Sequence, residues 1–190
     1  MSKHRHKQQT TEAEEALAAA VPAKRRHVAV EVMLGGLAGA AGVWAMDKVG
    51  WYLYNKEEPR ALARELRARV DGKDVAHVLV QKTARMTGMA RKVEQPSATG
   101  IGVHYALGIL PGAVHGVVRR RLPVVRAGSG ALYGLGLFVV LDEATAPLLG
   151  LASGPHRYPW QSHARGLVSH VVLGMGTETV LRLFDRARKP

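Results

Sequence analysis

Seven ionisable side chains, Asp47, His104, His115, Asp142, Glu143, His170 and Glu178, sit within or at the ends of otherwise apolar stretches of this 190-residue sequence. A charge at the centre of a hydrocarbon layer costs about 3 kcal/mol or more unless it is paired or hydrated, so such residues mark proton, ion or solute paths. Histidine titrates near neutral pH, and the chemistry this set offers is proton exchange. His104 and His115 are eleven residues apart, about 20° around a helix, and face the same way three turns apart. His170 and Glu178 fall within about 80° of each other on a later helix. The spacing predicts one shared polar interior built from these residues and Asp142-Glu143. Buried hydrogen bonds between helices, with no role in proton movement, would use the same residue types.

A second set is conformational rather than chemical. Gly35 and Gly39, then Gly108, Gly112 and Gly116, then Gly130 and Gly134, recur at spacings of four. Each series strips one helix face of side chains, so that another backbone can approach and recover dispersion contacts. Such faces serve either internal packing or the seam of a homo-oligomer.

Other chemistries are poorly supplied. Without cysteine there is no thiolate, disulfide or cysteine-based zinc site. No HExxH motif and no His pair at i, i+4 occurs, so neither a metal nor another cofactor is expected. Gly128-Ser129-Gly130 is similar to the serine context of intramembrane proteases, but the pattern is short for a glycine-rich chain, and no enzyme is expected. The formal charge of +12 could signal nucleic acid. Lys and Arg instead bracket the apolar runs, and few aromatics lie among them to stack bases, so no nucleic-acid partner is expected.

The elements that must carry these residues are membrane helices. Val28–Met46 is a 19-residue run whose one charge is Glu31, long enough to cross about 30 Å of hydrocarbon. Arg25-Arg26 before it and Trp51, Tyr52 and Tyr54 after it are interfacial anchors. Thr99–Val118 contains no Asp, Glu, Lys or Arg and ends at Arg119-Arg120-Arg121. Ala127–Leu141 is apolar up to Asp142-Glu143 and resumes through Leu151. Gly166–Phe184, with Glu178 and Arg182, is the least hydrophobic of the four. The reading is an all-α bundle of about four transmembrane helices over 28–185, with spans near 28–49, 99–118, 127–149 and 164–184. A basic tail over 1–27 is read as disordered, and because its first apolar run starts late it does not look like a signal peptide.

A helical, amphipathic connector over 55–98 joins the first two spans. Pro59 opens one helix, Asp71-Gly72 breaks it, and a second ends near Lys92. Val75, Val78, Leu79, Met86 and Met89 share a face of that second helix, with Lys73, Lys82 and Arg85 around it, which suits either an anionic lipid surface or the end of the bundle. The basic tail, the turn from Arg119 to Arg126 and the basic C-terminus imply that both termini are cytoplasmic and that Tyr158–Trp160 lies outside. The connector's ten Lys or Arg residues run against that assignment.

Gly35-Gly36-Leu37-Ala38-Gly39, Pro59-Arg60, His104-Tyr105, Ala131-Leu132-Tyr133-Gly134, Ala146-Pro147-Leu148-Leu149-Gly150-Leu151 and Ser169-His170 follow one another in an order that resembles the YagU-like bacterial inner-membrane family. The resemblance runs from about Gly35 to Phe184. It implies a multi-span protein of the bacterial inner membrane, in an envelope or acid-stress setting, with His104, Pro147 and His170 as the matching positions of most interest. It carries no catalytic residues, and the long basic tail and charged connector depart from the family's pattern. The functional expectation is proton-linked transport or a response to pH or acid through the His and acid interior. The competing expectation is a scaffold that packs through its small-residue faces and meets the bilayer, anionic lipid at its basic flanks, or further copies of itself.

Overall fold

The computed structural model describes residues 2–89 and 93–188, with side chains from His27 onward. Helices account for all its regular structure among the described residues: α1 (Ser2–Tyr54), α2 (Pro59–Ala68), α3 (Val75–Thr87), α4 (Ala98–Val118), α5 (Ala131–Leu137), α6 (Ala146–Leu148) and α7 (Trp160–Ala187). Four stretches, His27–Tyr54, Ala98–Val118, Pro123–Leu148 and Trp160–Ala187, are long and apolar enough to cross a membrane. Large apolar side chains point outward along them, among them Met33 at 66% exposure, Leu110 at 66%, Val114 at 62% and Val139 at 50%. A surface of that kind is compatible with lipid and costly in water.

The bundle is held by backbone-to-backbone approach. A methyl group on Gly112 would sit 2.7 Å from both the Gly35 carbonyl oxygen and the Gly39 Cα, and one on Gly39 would lie 2.5 Å from the Gly108 oxygen. Gly116 faces the Glu31 carbonyl in the same way. Thus α1 and α4 meet along Gly35, Gly39, Gly108, Gly112 and Gly116. A second seam joins the third span to α7, where Gly130 and Gly134 lie against the backbone of Gly174 and His170. A methyl group on Gly42 of α1 would lie 2.7 Å from the Leu173 oxygen, a close approach that links the two pairs of helices. These glycine faces are occupied within one chain, so a homo-oligomer would have to use other surfaces.

The third span is composite. Pro123–Gly130 is a 3-10 stretch that turns through positive φ at Gly128 (59°), Ser129 (58°) and Gly130 (97°) before α5 begins. A non-glycine residue in that region costs about 1–2 kcal/mol. Ser129→Gly is therefore expected to raise stability by about 0.5–1 kcal/mol, because the hydroxyl is held only by a 3.4 Å bond from Arg182. Detergent-phase unfolding of the two proteins would measure it, and a loss of stability would refute the assignment of strain. Beyond α5, Phe138–Thr145 widens into a π-helix before α6. Pro147 lacks the N–H that would bond the Glu143 carbonyl and its ring crowds that turn, which accounts for the widening. Asp142 and Glu143 lie in this widened turn.

The connector packs on the bundle's end. Asp74 caps α3 by accepting from the His77 amide at 2.9 Å. Gly88, at φ 69°, ends the helix at Thr87, short of the Lys92 expected from sequence; residues 90–92 lie outside the described residues. The expected apolar face divides: Val78 is buried with Ala146 and Leu151, and Val75 and Leu79 pack against them, whereas Met86 (81%) and Met89 (79%) are exposed. His77 ties this layer to α4. Its Nε2 accepts from the Ser97 amide at 3.1 Å while Nδ1 lies 2.9 Å from the Asp74 carboxylate, so the ring is in the Nδ1–H tautomer.

Candidate functional site

The ionisable residues separate into two sets at opposite ends of the bundle. This corrects the expectation of one shared interior. His104 and His115 do lie on one helix, but eleven residues of rise place them about 16 Å apart. The glycine seams lie between the two levels along the helices: Gly108 and Gly112 on α4, and Gly174 on α7. Thr177, fully buried, donates to the Leu173 carbonyl at 2.8 Å and offers no link between the sets.

At one end Glu178 is the hub. Its side chain is 0% exposed and lies 2.9 Å from Arg119, 3.0 Å from Arg126, 3.0 Å from Arg182 and 3.1 Å from His115. The His115 ring stacks on Tyr133 with centroids 4.1 Å apart. Arg119, itself 2% exposed, continues to Asp185 at 2.7 Å, and Arg120 and Arg188 pair with Glu31. Three arginines and His115 on one carboxylate make a fixed tie of α4, the third span and α7. Such an arrangement is structural, since moving Glu178 would take the shared counter-charge from all of them at once.

At the other end the groups pair in a way suited to exchange. His104 Nε2 lies 2.8 Å from Asp47, both about one-third exposed; His170 Nδ1 bonds the Gly166 carbonyl at 2.9 Å and lies 3.7 Å from Asp142; Glu143 bonds His163 at 2.6 Å. Three neighbouring cavities, of about 250, 440 and 290 Å³, share Asp74 and Asp142 in their walls. Asp47, His104, Ser169 and His170 all line the largest of them. The Ser169 hydroxyl is buried and has no hydrogen-bond partner among the described residues. A free buried hydroxyl thus lies beside two His–carboxylate pairs on the wall of one cavity.

An ion-pair lattice fixes the rim of this vestibule. Arg165 pairs with Glu57 and with Glu65 (2.5 Å), Glu65 also binds Arg69 at 2.6 Å and accepts from Ser162 at 2.8 Å, and Arg165 lies over the Tyr54 ring at 5.2 Å. This lattice fastens α2 to α7. Tyr158, in the loop before α7, has its phenol pushed up by burial, and its oxygen accepts from the Ser153 amide at 3.4 Å.

All seven residues singled out from sequence thus have an ionic partner, but Asp47, His104, Asp142, Glu143 and His170 belong to the vestibule and His115 and Glu178 to the opposite knot. Sequence reasoning missed His77, His163, Arg165, Glu65, Arg119 and Arg126. The usable signal was stoichiometric: an acid in a span requires a cation, and Arg119 after the second apolar run and Arg126 before the third were available donors. The described residues contain no group of three or more His, Asp or Glu able to hold a metal. Comparison of the chain with family models, with curated proteins and with solved structures returns no match.

Proposed function

We propose that this chain is a multi-pass protein of a bacterial inner membrane whose vestibule responds to pH, with both termini on the cytoplasmic side and no enzymatic activity. The single observation that carries the reading is that two His–carboxylate pairs, His104–Asp47 and His170–Asp142, line one 440 Å³ cavity together with the unpartnered Ser169 hydroxyl. Protonation of either ring would place a cation opposite its carboxylate and make the cavity less negative. The groups facing these pairs are Tyr54 on α1, Arg69 and Asp74 from the connector, and Arg165 on α7. The connector packs over the same cavity, so that change of charge acts at its contact with the bundle. Response is favoured over transport because the polar groups do not continue past the glycine seams to the other end. The order of short motifs supports placing the chain with YagU-like proteins, and an acid-stress setting is part of the same proposal.

Trp51 lines the cavity and supplies the test. In a Trp44→Phe, Trp160→Phe background, its emission is expected to change sigmoidally between about pH 8 and pH 5, and His104→Gln with His170→Gln is expected to abolish most of that change. Emission that is flat with pH, or a transition that survives both substitutions, would remove the reading. In sealed vesicles an imposed pH step should decay at the same rate with and without the protein; faster decay would favour transport instead.

A further inference from the structure

The opposite end of the bundle holds a second, chemically distinct cavity. Arg120, Arg126, Arg182, Arg186 and Arg188 line a basin of about 540 Å³ whose single acidic wall residue is Asp185. With Arg119 behind it, six arginines are shared by three carboxylates, Glu31, Glu178 and Asp185, leaving three positive charges uncompensated among the described residues. Arg186 has no ion pair there. Arg120, Arg126, Arg182 and Arg188 are each anchored through a carboxylate yet remain 39–49% exposed, so their remaining N–H donors face the basin in fixed positions. Preorganised guanidinium forks suit phosphate oxygens, which they bind in pairs.

The surroundings indicate where the phosphate comes from. Leu122 (53%), Val124 (61%) and Leu183 (54%) are exposed apolar residues within two positions of Arg121, Arg126 and Arg182, at the ends of membrane-length helices. A ligand there would meet fixed cations at the ends of helices whose exposed side chains are largely apolar, which is the setting of a lipid headgroup at a bilayer surface. Basic pockets between membrane helices bind such headgroups. We propose that this basin binds the phosphate groups of an anionic phospholipid, with a two-phosphate headgroup matching the excess of charge best. The site is independent of the vestibule and of its response to pH.

The test uses the full chain in neutral detergent, incubated separately with cardiolipin, phosphatidylglycerol and phosphatidylcholine, and measures lipid retained through gel filtration by mass spectrometry. Cardiolipin is expected to be retained at least about tenfold over phosphatidylcholine. Because each arginine near an anionic headgroup contributes about fivefold, Arg120→Gln with Arg186→Gln should reduce retention by about tenfold or more, while the paired Lys substitutions keep most of it. These two positions were chosen because neither touches Glu178. Equal retention of phosphatidylcholine, or wild-type retention by the glutamine variant, would overturn the proposal. Displacement of cardiolipin by an equal concentration of pyrophosphate would show a soluble phosphate ligand and overturn the lipid assignment. Should the glutamine variant elute as an aggregate, the wild-type protein decides: retention must fall as salt is raised, and salt-insensitive retention would overturn the proposal.

Discussion

Glu178→Gln is expected to lower the stability of the folded chain by about 3–5 kcal/mol, the cost of leaving the buried Arg119 without its bidentate counter-charge. The carboxylate is fully buried and receives Arg119, Arg126, Arg182 and His115, so its neutral replacement keeps the shape while removing the only charge these groups share at that depth. Arg119 is the most affected partner, at 2% exposure, although Asp185 still holds its second nitrogen. Arg182→Gln is the control. That side chain is 40% exposed, and its loss should cost about 1 kcal/mol or less. Unfolding in mixed micelles, followed by helical circular dichroism, would measure both. A Glu178→Gln cost near that of Arg182→Gln would show that the knot does not hold the three helices together.

Adding one methyl group at a seam is expected to destabilise the bundle, and adding it elsewhere is not. Gly112→Ala places a Cβ 2.7 Å from backbone atoms of Gly35 and Gly39, and Gly134→Ala places one 2.8 Å from the His170 carbonyl carbon. Backbone cannot rotate aside as a side-chain end can, so the helices must separate, at about 1–3 kcal/mol each. At Gly102 and Gly136 nothing lies within 4 Å of the added carbon. Alanine there should be neutral or slightly stabilising, as expected from helix propensity. Should all four substitutions prove equivalent, the close approach of α1 to α4 and of α5 to α7 would not be what holds the bundle. The two seams share no glycine, so their effects should add.

These results would bear on function as well as stability. The knot and the seams tie the helices together at the middle and one end of the bundle, whereas the His–carboxylate vestibule sits at the other end, beside cavities and beneath the connector. Rigid seams on one side and titratable pairs on the other concentrate any response to pH at the connector. The arginine basin at the far end would then hold the same molecule in the bilayer, without taking part in that response.

The sequence by itself determined the class of fold. Apolar runs of membrane length, such as Val28–Met46 and Thr99–Val118, become helices because no other structure of that length satisfies its backbone in hydrocarbon, and Pro59, Asp71-Gly72 and Gly88 punctuate the connector through local backbone chemistry. Periodicity also marked the residues at issue, since glycines four apart and polar side chains within oily runs are visible in one dimension. The pairing was decided only in three dimensions. Angular position around a helix is legible from spacing, but depth is compared between helices only once they are docked, so His104 and His115 looked equivalent and prove to lie at opposite ends. Asp142 and Glu143, adjacent in sequence, diverge to His170 and His163 because successive residues on a helix point roughly 100° apart. Which arginine meets which acid depends on helix register across the glycine seams, and register is a property of packed backbones that no single segment encodes.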